Sequence, residues 1–117
     1  DTAAYYTGRN FGKRKIAPMV SPGKTVEGAL GQVFCASVFA VTCGKYFGME
    51  QSLLELLLVG IILSTTAIYS DISESLIKRV FNVKDSGTII PGHGGFLDRV
   101  DSFFFTAPLF YFYLLVT

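Results

Sequence analysis

The chain has 117 residues, half of them hydrophobic and only 16% charged, with a formal net charge of +1. Soluble domains carry about 25% charged residues, and the mean hydropathy of +0.47 speaks against a soluble helical protein. A net charge this small gives no basis for a nucleic-acid partner. Eleven Phe and six Tyr with no Trp make an aromatic-rich mixture compatible with lipid.

The chain starts at Asp1 and ends inside the apolar run Phe103–Thr117. It therefore reads as a segment of a longer chain, with no signal-peptide pattern at its start. Residues 1–7 suit the end of a helix, and Gly8-Arg9-Asn10-Phe11-Gly12 suits a turn or loop by its glycines. Lys13, Arg14 and Lys15 form a basic cluster. Pro18 and Ser21-Pro22-Gly23 keep the chain out of helix until Lys24 or Thr25. Thr25 is placed to cap a helix starting at Val26.

Three membrane helices are predicted, over approximately 26–47, 51–70 and 98–117, the third continuing past the last residue. Gly28–Gly44 has no charge and small residues that permit close helix contact; its flanks bring it into the ~17–25 residue range of a span. In 51–70 the only charge is Glu55, about one turn from the end, where it can reach the interface. From Asp71 to Arg79 helical periodicity persists, with Asp71, Ser75 and Lys78 on one face. Phe81–Gly95 reads as loop. Pro108 is a candidate bend in the third helix. Cys35 and Cys43, eight apart in one apolar stretch, are expected to be free thiols. The expected fold is all-α: a polytopic transmembrane helical protein with catalytic loops on the cytoplasmic side.

Charge sets the orientation. The 9–24 segment carries five basic residues and no acid, and 78–99 adds Lys78, Arg79, Lys84 and Arg99. The connection between the first two spans has only Lys45 and Glu50. The positive-inside rule puts both basic segments in the cytoplasm, where they are expected to form one site.

Two groups of residues carry the chemistry. Asp71, Asp98 and Asp101 would repel one another without a cation, and Mg²⁺ favours such hard oxygen ligands. Asp98 and Asp101 are three apart, on one face of a helix. Lys13, Arg14, Lys24, Lys78, Arg79, Lys84 and Arg99 suit a polyphosphate or a lipid phosphate. Together they point to phosphoryl or nucleotidyl transfer, in which the protein positions groups and offsets charge. Plainer readings stand beside these. Asp98 and Asp101 also suit a helix N-terminus by the dipole, Asp71 an interfacial cap, and the basic segment a topology signal meeting anionic lipid. His93 in its glycine turn is either structural or touches phosphate.

Ser75-Leu76-Ile77-Lys78-Arg79, Lys84-Asp85, and His93-Gly94-Gly95-Phe96-Leu97-Asp98-Arg99-Val100-Asp101 resemble the signature of the phosphatidate cytidylyltransferase family, the CDP-diacylglycerol synthases. Asp1-Thr2-Ala3-Ala4-Tyr5 resembles that family's Asp-Thr-Gly-Ala-Tyr. Ser21-Pro22-Gly23-Lys24-Thr25-Val26-Glu27-Gly28 resembles its Ser-Pro-Lys-Lys-Thr-x-Glu-Gly loop. The likeness covers essentially residues 1–117, as the C-terminal catalytic part of a membrane-embedded cytidylyltransferase.

The resemblance implies transfer of a cytidylyl group from CTP to phosphatidic acid, giving CDP-diacylglycerol and pyrophosphate. It implies Asp71, Asp98 and Asp101 as metal ligands for Mg²⁺, with a second cation allowed. Asp71, Lys78, Arg79, Asp98 and Asp101 become the catalytic set, and Ser21, Lys24, Thr25, Lys84, Asp85, His93 and Arg99 the substrate-binding set. Expected partners are CTP, phosphatidic acid and membrane lipid, with a homodimer allowed. The expected location is a bacterial inner membrane with the site facing the cytoplasm, or else a eukaryotic organelle membrane. Three residues depart from the pattern: Ala3 and Ser70 stand where glycine is usual, and Gly23 where lysine is usual. The alternatives are a membrane transferase acting on another lipid or polyprenol phosphate, and a non-enzymatic transporter, which would carry polar residues deep in its spans.

Overall fold

The computed structural model describes residues 2–82 and 97–117, without the side chains of 97–99, 101 and 102. In chain order the elements are α1 (Thr2–Phe11), β1 (Lys15–Ala17), β2 (Ser21–Thr25), α2 (Val26–Tyr46), α3 (Leu53–Val80) and α4 (Leu97–Val116). The chain divides into two compact units, 1–65 and 66–117.

In the first unit, α1 crosses α2 at close range because glycines face each other there. A Cβ on Gly28 would lie 2.7 Å from the Ala4 carbonyl oxygen and 3.3 Å from the Gly8 Cα. A Cβ on Gly8 would lie 2.7 Å from Thr25 Oγ1. One turn further along α2, Gly31 faces the Thr7 side chain. Gly8 therefore serves contact and does not break the helix, so α1 runs on to Phe11 where a turn or loop was expected over 8–12. Ala3 lies within this helix, where an alanine is at no disadvantage.

The fold is mostly helical, as expected, and the segment after α1 adds one small departure from all-α. Pro18 and Pro22 exclude helix, and the chain forms an antiparallel two-stranded hairpin instead. Lys15 pairs with Thr25 and Ala17 with Ser21, with an irregularity in register between the two pairs. The Val20 N–H donates to the Ala17 carbonyl at 3.2 Å and closes the turn.

Each long helix has identifiable ends. Thr25, in extended conformation, caps α2: its hydroxyl accepts the Gly28 N–H at 3.1 Å. Such a cap stabilises by ~1 kcal/mol. At the other end Gly48 takes a left-handed φ of 68°. The Gly48 N–H then donates to Lys45 and the Met49 N–H to Gly44, the paired bonds of a Schellman stop. The start of α3 is a capping box. Ser52 N–H donates to Glu55 Oε2 at 2.9 Å, and Glu55 N–H to Ser52 Oγ at 3.3 Å. Glu55 is thus held at the helix start by its own main chain. Asn82, at φ 55°, ends α3, and its N–H donates to the Arg79 carbonyl at 3.1 Å.

α3 is one helix of 28 residues. The expected span over 51–70 and the helical pattern of 71–79 are a single element. Among the described residues two helices, α2 and α3, are long and apolar enough to cross a membrane. α4 runs through Pro108, and its apolar part, Phe103–Val116, is shorter than those two. The predicted third span is therefore a helix in place, without the described apolar length of the others.

The burial pattern is the reverse of a soluble protein's. Among the described residues Leu56 is the one buried large apolar side chain, while Ser37, Ser64, Ser70 and Glu74 are buried. Phe34 and Phe39 on α2 are each 70% exposed. Small residues let α3 approach α2: a Cβ on Gly60 would lie 2.6 Å from Ser37 Cα, and one on Gly44 2.7 Å from the Leu56 side chain. This is how helices associate in lipid, through close backbone packing. The hydroxyls are satisfied within their own helices: Ser37 donates to the Val33 carbonyl, Ser64 to Ile61 and Thr42 to Val38. Such bonds suit a helix in surroundings that offer no water. Cys35 and Cys43 are both free, as expected.

The glycine crossing gives a stability test. Gly28→Ala must push α1 off α2 against main chain, and is expected to cost ~1–3 kcal/mol. Gly23→Ala meets nothing within 4 Å and should fall within about 0.5 kcal/mol of the parent. Thermal unfolding of the detergent-solubilised protein measures both; equal midpoints for the two variants would contradict the close crossing.

Candidate functional site

The hairpin and the start of α2 hold the first group of expected site residues. Ser21 opens β2, and Lys24 and Thr25 close it; all three are half-buried. Thr25 does more than was expected of a substrate hydroxyl. Its oxygen accepts the Gly28 N–H and packs beside Gly8 and Gly12. In the structure it anchors the loop. Gly23, where the resembled family has lysine, is open on its side-chain side. The difference thus removes a charge without changing a packed contact.

Glu27 explains why the basic segment lies where it does. Its Oε2 accepts the main-chain N–H of Lys13 at 3.1 Å and of Arg14 at 3.3 Å. The Arg14 carbonyl accepts the Val26 N–H at 2.8 Å. Main-chain bonds on both sides therefore tie residues 13–15 to the start of α2, and the Lys13, Arg14 and Lys15 side chains are exposed.

The second unit carries the other group. Asp71, Ser75 and Lys78 are half-buried on the last turns of α3, and Arg79 is exposed. Ser70 is buried directly before Asp71. One residue on this helix was missed: Glu74. It is buried, and its Oε1 lies 2.8 Å from Lys78 Nζ, with side-chain exposures of 10% and 17%. The i,i+4 spacing of Glu before Lys is the favourable order on a helix, and it is legible in the sequence. A pair this little exposed interacts more strongly than a surface pair, because each ion offsets part of the other's desolvation.

Asp98, Arg99 and Asp101 lie on the first turns of α4. Their backbone is helical, as expected, and their side chains are outside the described residues. Lys84, Asp85 and His93 are outside them altogether. Among the described residues no three His, Cys, Asp or Glu side chains gather as a metal site. The donor chemistry expected there is all carboxylate oxygen, which suits Mg²⁺.

The Glu74–Lys78 pair makes a definite prediction. Lys78→Met removes a cation 2.8 Å from a buried carboxylate and should lower stability by about 1–3 kcal/mol. Adding Glu74→Gln removes that charge, so the double variant should unfold at a higher temperature than Lys78→Met alone. Thermal melts of the two variants decide it; a double variant no more stable than the single would mean that Glu74 does not rely on Lys78.

Similarity to known proteins covers the same residues. The Cytidylyltransferase family matches residues 1–117. A phosphatidate cytidylyltransferase of Staphylococcus epidermidis is 47% identical over 109 residues, covering 93% of this chain and 42% of that protein. One of Bacillus subtilis is 46% identical over 114 residues, covering 97% of this chain and 42% of that protein. Escherichia coli YnbB is 42% identical over 114 residues, with 97% and 38% covered. The chain thus spans about two fifths of the length of these relatives. With the motif residues, the capped helices and a match along its whole length, the chain belongs to the Cytidylyltransferase family.

Proposed function

We propose that this chain forms part of a membrane enzyme that transfers a cytidylyl group from CTP to phosphatidic acid, yielding CDP-diacylglycerol and pyrophosphate. The observation that carries the reading is the family match over residues 1–117, joined to relatives whose name is phosphatidate cytidylyltransferase. The reaction is a displacement at phosphorus. An oxygen of the lipid phosphate bonds to the α-phosphorus of CTP, the bond from that phosphorus to the β-phosphate bridging oxygen breaks, and pyrophosphate departs with the electron pair. A phosphate monoester is already anionic at neutral pH, so no general base is needed.

In this reading the side chains divide the work by charge. Lys24, Lys78, Arg79, Lys84 and Arg99 hold phosphate oxygens and offset their charge. Glu74 keeps Lys78 oriented along α3. Ser21 offers a hydroxyl, and Thr25 fixes the loop that carries Lys24. Asp85 and His93 complete the substrate-binding set. Asp71, Asp98 and Asp101 would hold Mg²⁺, with a second cation allowed. When bound, the ion offsets the charge that builds on the triphosphate. The two apolar helices put the lipid substrate and the enzyme in the same phase. The basic residues outside those helices favour the cytoplasmic side, and the bacterial relatives favour the bacterial inner membrane. A homodimer is compatible with this assignment.

The test is direct. Membranes containing the full-length protein, given labelled CTP, phosphatidic acid and Mg²⁺, should form labelled CDP-diacylglycerol. Asp98→Asn or Asp101→Asn should lower the rate by on the order of 10²-fold or more, as for loss of a charge-stabilising group. Chelation of Mg²⁺ should abolish it, and added Mg²⁺ restore it. Uptake of substrate without product would mark a transporter instead. Product formed only from a different lipid phosphate would redirect the assignment to that lipid.

A further inference from the structure

We propose that Glu27 is a positioning residue: its carboxylate pins the main chain of Lys13 and Arg14, so that Lys13, Arg14 and Lys15 meet a phosphate group of the substrate from a fixed backbone. The inference rests on the transferase reading above and deepens it, by assigning a phosphate-holding role to the 13–15 segment and a device that orders it.

Three observations carry it. First, a single oxygen, Glu27 Oε2, accepts both main-chain N–H groups, at 3.1 and 3.3 Å. Charged hydrogen bonds of this type are stronger than neutral ones. Second, the segment is fixed from its other side as well. The Arg14 carbonyl accepts the Val26 N–H at 2.8 Å, and Lys15 is paired with Thr25 across the hairpin. Glu27 itself stands in the first turn of a capped helix, so the clamp is anchored. Third, the carboxylate is committed to the main chain. Among the described residues no ion pair engages Lys13, Arg14 or Lys15, and all three are exposed. Three consecutive exposed cations on an ordered backbone, of which Arg14 also acts on Glu27 through its charge, are preorganised for a multiply charged anion. Preorganisation lowers the ordering cost of binding. The shared ligand chemistry is the phosphate group, supplied either by the triphosphate of CTP or by the head of phosphatidic acid.

The experiment compares Glu27→Ala, Glu27→Gln and the triple variant Lys13→Gln/Arg14→Gln/Lys15→Gln in the full-length membrane protein. It reads amide hydrogen exchange at residues 13 and 14, together with KM and kcat for CTP and for phosphatidic acid varied separately. Glu27→Ala should speed exchange at both amides by roughly tenfold and leave exchange within α2 unchanged, which shows that the helix still forms. It should raise one KM by roughly tenfold or more, the scale for loss of an orienting partner, with a smaller change in kcat. The substrate whose KM moves is the one whose phosphate the segment holds. Glu27→Gln keeps an acceptor oxygen and should recover most of the effect. The triple variant should raise the same KM, and adding Glu27→Ala to it should change that KM little further. Unchanged exchange at residues 13 and 14, two unchanged KM values, or additive losses in the combined variant would each overturn the inference while leaving the transferase assignment intact. Failure of the parent protein to make CDP-diacylglycerol would overturn the transferase assignment instead. The clamp is then decided by amide exchange and by equilibrium binding of CTP and of phosphatidic acid vesicles to the same variants.

Discussion

The crossing of α1 over the start of α2 is the constraint from which the first unit follows. Gly8 and Gly28 let the two backbones meet, and Thr25 fills the space between them. The same Thr25 oxygen caps α2. A methyl group at either glycine would collide with main chain or with the cap. The helix start, the hairpin arm that leads to it and the basic segment paired with that arm therefore share one contact. A change at this point reaches Lys24 through Thr25 and residues 13–15 through Glu27, although it touches neither directly.

Away from that point the chain solves a different problem. Its long helices present apolar side chains outward and have few large ones to bury. In lipid there is little gain from hiding leucine, so contact must come from backbone approach and satisfied polar groups. The positions of Gly44 and Gly60, beside Leu56 and Ser37, supply the first. The serine and threonine bonds into their own helices supply the second. Neither needs charged groups in mid-span.

Much of this was legible in the sequence because it depends on local rules. The charge-free run from Gly28 to Gly44 and the Thr25 cap marked out α2 nearly to the residue, and the periodicity beyond Asp71 already suggested that α3 continues. What was not legible depended on contacts between distant residues. Glycines at 8 and 12 look the same in a sequence whether they make a turn or admit a neighbouring helix, and only the presence of Gly28 against Ala4 and Gly8 separates the two. The hairpin was missed because prolines announce the absence of helix without saying what replaces it. The capping box at Ser52 and Glu55 was available as a Ser-x-x-Glu pattern, but the apolar setting drew Glu55 toward the interface instead. Among the candidate site residues, the resemblance supplied identities, while burial and bonding supplied structural contacts. Thr25, expected to bind substrate, is also the anchor of the loop, and Glu74 joined Lys78.

The acids divide by side-chain length, and the division has a physical basis. Glu27 and Glu55 each reach main-chain N–H groups at a helix start, and Glu74 reaches a lysine one turn along α3. An extra methylene lets a glutamate fold back onto its own neighbourhood, which suits fixing other groups in place. Aspartate is shorter, and its carboxylate stays closer to the backbone that carries it. This shorter reach is what the proposed Mg²⁺ role would ask of Asp71 on α3 and of Asp98 and Asp101 on α4. Glu27 and Glu74 thus bond to segments that carry lysine and arginine, Glu55 caps its own helix, and in the proposed function the aspartates would be the residues left for Mg²⁺. Because Glu27 bonds to main chain, it orders the 13–15 segment while the three cationic side chains stay exposed, which is what the proposed phosphate-holding role requires.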